Sequence, residues 1–173
     1  MSVRVRALGA ADAQAYWDVR YATLSSDPFA FGTTAERFAA LPLEQVAERV
    51  TPSDTRVSFG AFLSGPDGQE ALVGILTLVR LDSPGFAHRA DVLGVAVLRE
   101  ARGQGAGDAL MRAALDHART WEGLTSLHLA VTDTQAAARR LYERHGFQVW
   151  GTQPDAIRRA GQVLQEHFMW RPV

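Results

Sequence analysis

The sequence predicts a mixed α/β fold, and three observations carry that prediction. Strand-like and helical patterns follow one another in the order β-α-α-β-β-β-α-β-α-β-β. Residues 91–110, DVLGVAVLREARGQGAGDAL, read as a strand, a glycine-rich turn and the start of a helix. Gly65-Pro66-Asp67-Gly68 is a strong turn between two apolar runs, as in a hairpin.

Each element has its own warrant. Residues 3–6 alternate with polar neighbours, as a short first strand does. Residues 10–24 read as a helix, with Ala15, Tyr16, Val19 and Ala22 at helical spacing, and residues 25–34 as a loop broken by Pro28 and Gly32. Residues 43–50 form a second short helix closed by Thr51-Pro52. Residues 58–63 and 72–81 are the hairpin strands. After Pro84-Gly85 comes a strand over 90–97, whose interior Gly94 marks a bulge or a close backbone approach. The helix over 105–121 has Leu110, Met111, Ala114, Leu115 and Ala118 on its apolar face. A strand over 126–131 leads to a helix over 134–145, capped at its start by Thr132, Asp133 or Thr134 and at its end by Gly146. Residues 147–151 and 167–170 make the last two strands. The strands flanking the helix at Gly105 are expected to be parallel, joined by a right-handed crossover.

The 173 residues suit one domain spanning 1–173. A formal net charge of −1 gives no sign of a nucleic-acid or membrane surface. Without cysteine there is no disulfide, thiolate metal site or cysteine nucleophile. The histidines show no metal-binding spacing, so no metal is expected. The opening MSVRVRALGA lacks the apolar core of a secretory leader, and a cytoplasmic protein is the expectation.

The glycine-rich turn is built for phosphate. Glycines allow positive φ and close approach, and a helix N-terminus offers free N–H groups and positive dipole. A P-loop needs a lysine, and this chain has none. The dinucleotide fingerprint G-x-G-x-x-G/A fails in both registers, its third position falling on Asp108 or Leu110. What remains is Arg102-Gly103-Gln104-Gly105-Ala106-Gly107, an R-x-x-G-x-G pattern directly after a strand.

That loop resembles the acyl-coenzyme A loop of the GCN5-related N-acetyltransferases, the GNAT family. Leu141-Tyr142-Glu143-Arg144-His145-Gly146-Phe147 is similar to the family's L-Y-x-x-x-G-F signature, and the closing segment over 151–169 resembles the final hairpin of one bacterial group. The likeness covers nearly the whole chain. It implies a mixed, mostly antiparallel sheet of about seven strands with about four helices, strands four and five splayed. It also implies acetyl-CoA as co-substrate. The backbone of Val95, Ala96 and Val97 would hold the pantetheine arm like an added strand. Amides over Arg102, Gly103, Gln104, Gly105, Ala106 and Gly107 would hold the pyrophosphate, with Arg102 adding its charge. Many relatives carry an asparagine seven residues before the signature tyrosine; Gln135 stands there.

Acetyl transfer to an amine needs a base for the ammonium and a proton for the leaving thiolate. The resemblance assigns the proton to Tyr142, a phenol neutral at physiological pH; the residues alone favour a half-buried core aromatic beside Leu141. Asp91 is the candidate base, on the same side of its strand as Val95 and Val97 if Gly94 makes no bulge. Its alternative is a strand-end charge near Arg89. His88, Glu36 and Trp150 are weaker candidates for the acceptor pocket, and Arg139, Arg140, Arg158 and Arg159 read as a solvated basic face.

The expected activity is transfer of acetyl from acetyl-CoA to a primary amine on a small molecule or peptide. Direct attack in a ternary complex is expected, because no cysteine can carry the acetyl group. The rival is a module that binds acyl-CoA without turnover. Neither the acceptor nor the choice between monomer and homodimer is written in the sequence.

Overall fold

The structure, a computed structural model, describes residues 2–173. Its elements are β1 (Val3–Ala7), a 3-10 turn (Ala10–Asp12), α1 (Ala13–Ser26), α2 (Ala35–Ala39), α3 (Leu43–Val50), β2 (Arg56–Ser64), β3 (Glu70–Arg80) and β4 (Arg89–Val97). A second 3-10 turn (Arg99–Ala101) precedes α4 (Ala106–Ala118), β5 (Ser126–Thr132), α5 (Ala136–Arg144), β6 (Gln148–Arg159) and β7 (Gln162–Pro172). The seven described strands form one sheet in the order β1-β2-β3-β4-β5-β7-β6. All neighbours are antiparallel except β4 and β5, which are parallel, as expected.

The sheet separates two cores. The apolar faces of α4 and α5 bury Leu110, Met111, Ala114 and Tyr142 against Leu76, Leu78, Leu127, Leu129 and Met169. On the opposite face Val19 of α1 and Val50 of α3 pack against Phe62, Leu72, Ile75 and Ala96. Of these helices α3, α4 and α5 are amphipathic, each with one sheet face to cover.

Several boundaries differ from expectation for local reasons. The first helix opens as a 3-10 turn because the Asp12 carboxylate accepts the Gly9 N–H at 2.9 Å and is itself held by Arg6. The helix α2 was not foreseen; Thr34 caps it by accepting the Arg37 N–H at 3.2 Å. No side chain caps α5, whose N-cap is Gln135 rather than a residue of 132–134; Thr132 instead donates its hydroxyl to the Phe29 carbonyl at 3.0 Å. The closing hairpin is far longer than the two short strands expected. Irregularities at Val149/Gly151 and Gln153/Ile157 break its alternation, and Pro154 falls in the second, on an edge strand where a missing N–H is tolerated.

Two features of β4 position everything else. First, β4 and β5 pair only at Arg89, Ala90 and Asp91, and then diverge, leaving the β5-facing edge of residues 92–97 unpaired. Second, Gly94 (φ +61°) makes a bulge: Thr77 pairs with Leu93 and Ile75 with Ala96, so two residues oppose Leu76. The bulge reverses the strand's faces. Ala90 and Val92 belong to the α4 core, and beyond the bulge Val95 and Val97 pack on that same core while Ala96 joins the opposite one. Asp91 therefore does not share a face with Val95 and Val97; the unbulged parity is corrected by the extra residue.

Candidate active site

The divergence of β4 and β5 opens a cleft of about 610 Å³ between the two halves of the sheet. Its walls bring together Val95, Ala96 and Val97 of β4, Arg102, Gly103, Gly105, Ala106 and Gly107 of the following loop, and Gln135 and Tyr142 of the α5 region. Ten of the twelve sequence-chosen residues meet there. The other two do not line it. Gln104 turns its amide to the Glu100 carbonyl at 3.1 Å, and Asp91 sits at the β4–β5 join, between Val79 and His128.

The glycines act as the sequence required. Gly103 (φ +75°) and Gly105 (φ +85°) lie in the left-handed region, where an L side chain is strained, and no atom lies within 4 Å of where their Cβ atoms would stand. Gly105 is the N-cap of α4, so the first amides of that helix face the cleft without intrahelical partners. Gly107 serves packing as well: a Cβ there would come 3.1 Å from Leu141 Cδ2.

Arg102 lines the cleft with its charge paired within the protein. Its Nη2 lies 2.5 Å from Asp27 Oδ2, and its Nε donates to the Val97 carbonyl at 3.1 Å. Asp27 also receives Ser26 Oγ at 2.7 Å and pairs with Arg99. Burial pushes the Asp27 carboxyl up, but these hydrogen bonds and charges together outweigh burial and hold it below the usual carboxylate range. A second carboxylate, Asp108 in the first turn of α4, is held down in the same way by Arg144 and His145, again against burial.

Tyr142 is 6% exposed and meets Phe147 edge-on with ring centroids 6.3 Å apart. Burial drives its pKa well above the ordinary phenol value, so it stays protonated at any physiological pH. Gln135 turns its Nε2 to Thr134 Oγ1 at 3.3 Å.

The α1–α2 loop adds Ala30 and Phe31 to the cleft wall and is tied to the β6–β7 hairpin. Arg159, expected on a solvated basic face, clamps the two: it donates to the carbonyls of Phe31 (2.8 Å), Gly32 (3.0 Å) and Pro28. Trp150 and Phe168 of the hairpin pack with ring centroids 5.7 Å apart, and Trp150 is 63% exposed. Sequence reasoning missed Asp27, Phe31 and Arg144 as cleft residues. Their partners are far away in the chain, and no local pattern marks them.

Comparison with known proteins shows the family and the fold. The family model described as the acetyltransferase (GNAT) family matches residues 21–147. The L-amino acid N-acetyltransferase AaaT of Escherichia coli K12 is 29% identical over 100 residues, 58% of this chain, and the match spans 61% of that protein's length. The structure of a GCN5-related N-acetyltransferase from Kribbella flavida superposes with a TM-score of 0.80 at 28% identity, covering 99% of this chain and 98% of that one. The structure of yncA from Salmonella typhimurium, with its cofactor acetyl-CoA, gives a TM-score of 0.77 at 19% identity, covering 99% and 94%.

Proposed function

The chain belongs to the GNAT acetyltransferase family, and from that premise we propose that it moves the acetyl group of acetyl-CoA to a primary amine by direct attack in a ternary complex. One observation carries the reading: an unpaired strand edge, a left-handed glycine loop on a helix N-terminus and a protonated tyrosine line a single cleft.

Each part has a role. The open edge of β4 from Val95 to Val97 receives the pantetheine arm as a strand would. The Val97 carbonyl already accepts one bond from Arg102, so its second lone pair is the one left for that arm. The amides of Gly103, Gln104, Gly105, Ala106 and Gly107 hold the pyrophosphate at the α4 N-terminus. Arg102 contributes its backbone and holds the loop against Asp27 rather than offering a free charge. Gln135 lies on the cleft wall, and its amide would have to leave Thr134 to bond the arm.

The acceptor arrives as an ammonium with a pKa of about 10.4 and must lose a proton. Asp91 takes it through an intervening water, since its side chain lies outside the cleft wall. The amine nitrogen then forms its bond to the thioester carbon, and the carbon–sulfur bond breaks. Tyr142 gives its proton to the departing sulfur, and its raised pKa keeps that proton available. The products are the N-acetyl amine and free coenzyme A.

The experiment is thiol release from acetyl-CoA with the purified protein and a panel of primary amines, beginning with L-amino acids because of the likeness to AaaT. Turnover with any amine supports the reading. Tight acetyl-CoA binding without thiol release over the whole panel refutes it in favour of a binding module.

A further inference from the structure

We propose that Phe168 and Trp150 form the binding place for the acceptor's side group, and hence that the acceptor is a primary amine carrying a flat aromatic ring about two carbons from the reacting nitrogen. The inference rests on the acetyl-transfer reading above and gives it a substrate class.

The sheet face opposite α4 carries this place. Leu127, Leu129 and Val131 of β5 and Met169 of β7 point into the α4 core. By alternation Ala130 and Phe168 point the other way, where they stand opposite each other in register. Gly151 of β6 is opposite Phe168 on its other side. Phe168 thus rises between two residues with little or no side chain. A Cβ built on Gly151 would meet nothing within 4 Å, so the space beside the ring is open. The irregularity at Val149/Gly151 inserts Trp150 next to it, and the indole leans on Phe168 with 5.7 Å between centroids and 37° between planes. That contact covers little of Trp150, which stays 63% exposed and available to a third ring.

This surface runs into the cleft. Ala130 is exposed and lines it. Residues directly opposite on adjacent strands stand about 5 Å apart, so an amine at the cleft beside Ala130 and a ring against Phe168 are about two carbons apart. The residue proposed as base faces the same side: Asp91 lies between the core-facing Ala90 and Val92 and is in register with His128, two residues before Ala130. The place is also narrow. The next row of the same face, Thr132, Glu166 and Gln153, is polar, and Thr132 is buried and bonded to the α1–α2 loop at Phe29. The row on the other side sets Trp170 between His128 and Gln148. Apolar surface this confined suits a small molecule rather than a protein, whose stable interfaces take about 800 Å² per partner.

The test compares 2-phenylethylamine, 2-cyclohexylethylamine and ethylamine as acceptors, by thiol release from acetyl-CoA. The wild type should favour the aromatic amine over ethylamine by about 30-fold in kcat/KM, the worth of burying one aromatic side chain. It should favour it over the cyclohexyl amine by about threefold, the part that depends on a flat ring. Trp150→Ala removes a ring and Gly151→Val fills the open space. Each should raise the KM for 2-phenylethylamine about tenfold and leave the KM for acetyl-CoA where it was. Trp150→Phe should keep most of the preference. Equal use of ethylamine and the aromatic amine by the wild type overturns the aromatic site but leaves acetyl transfer standing. So does a cyclohexyl amine used as well as the aromatic one, or a Gly151→Val enzyme that keeps its preference. If Trp150→Ala does not fold, Gly151→Val decides alone. A dimer that Trp150→Ala dissolves also overturns the site, since the two rings are then the seam between copies. If no amine releases thiol, the transfer reading falls and calorimetry judges the site. Binding of 2-phenylethylamine to the wild type with coenzyme A present, lost in Gly151→Val, upholds it, and no binding overturns it.

Discussion

Arg102 Nη2 and Asp27 Oδ2 lie 2.5 Å apart, a pairing between residues 75 positions distant that ties the glycine-rich loop to the end of α1. The loop's own charge is thereby neutralised by protein, so the proposed pyrophosphate site rests on backbone amides. Asp27→Asn should unfold at a lower temperature by roughly 2–4 °C at neutral pH, the effect of about 1 kcal/mol in a chain of this size. The sign with pH follows from the depressed folded pKa. The stabilisation is complete above the ordinary aspartate value of about 3.9 and is lost as pH falls through the lower folded value. Melting curves of wild type and variant should therefore converge on acidification.

Tyr142→Phe should lower kcat by about 100-fold, within the usual range for a general acid, with little change in melting temperature. The ring that fills the core is retained and only the hydroxyl is lost. Because burial raises the tyrosine's pKa, the wild-type rate should show no decline from phenol ionisation near pH 10. Stability behaves oppositely to the Asp27 case: it is complete below about 10 and falls as pH rises from there toward the folded value. A Phe variant with full kcat at every pH would remove Tyr142 from the mechanism.

Gly105→Ala tests the loop. At φ +85° a Cβ costs about 1–2 kcal/mol in backbone strain, and it points into empty space rather than into a neighbour. Expected are a lowered melting temperature and a KM for acetyl-CoA raised about tenfold, since ~1.4 kcal/mol corresponds to that factor. The acceptor KM should hardly move. An unchanged acetyl-CoA KM would mean that the pyrophosphate lies elsewhere.

Asp91→Asn should reduce kcat/KM by about 100-fold at neutral pH, with the loss shrinking at high pH as the amine deprotonates in solution. A pH–rate profile identical to the wild type would leave deprotonation to bulk water.

Much of this arrangement is legible in the chain. The glycine loop and the Leu141–Phe147 signature show themselves because their chemistry depends on residues adjacent in sequence. The strand over 90–97 and the helix that follows are plain from periodicity, and Gly94 signals its bulge. Three things are hidden. The helix α2 is too short to display a period. The hairpin's alternation is erased by two irregularities and by Pro154. The third is the set of long-range partners, Asp27 with Arg102, Arg159 with Phe31, and Arg20 beside Gly94, which arise only when separate elements meet.

A sheet ordinarily has two borders, and this one has a third in its interior, along residues 92–97 where β4 leaves β5. An unmatched border invites whatever extended chain can pair with it. Occupancy by the co-substrate would seal that seam from within. On the proposed reading, the protein's resistance to unfolding would rise with the concentration of acetyl-CoA.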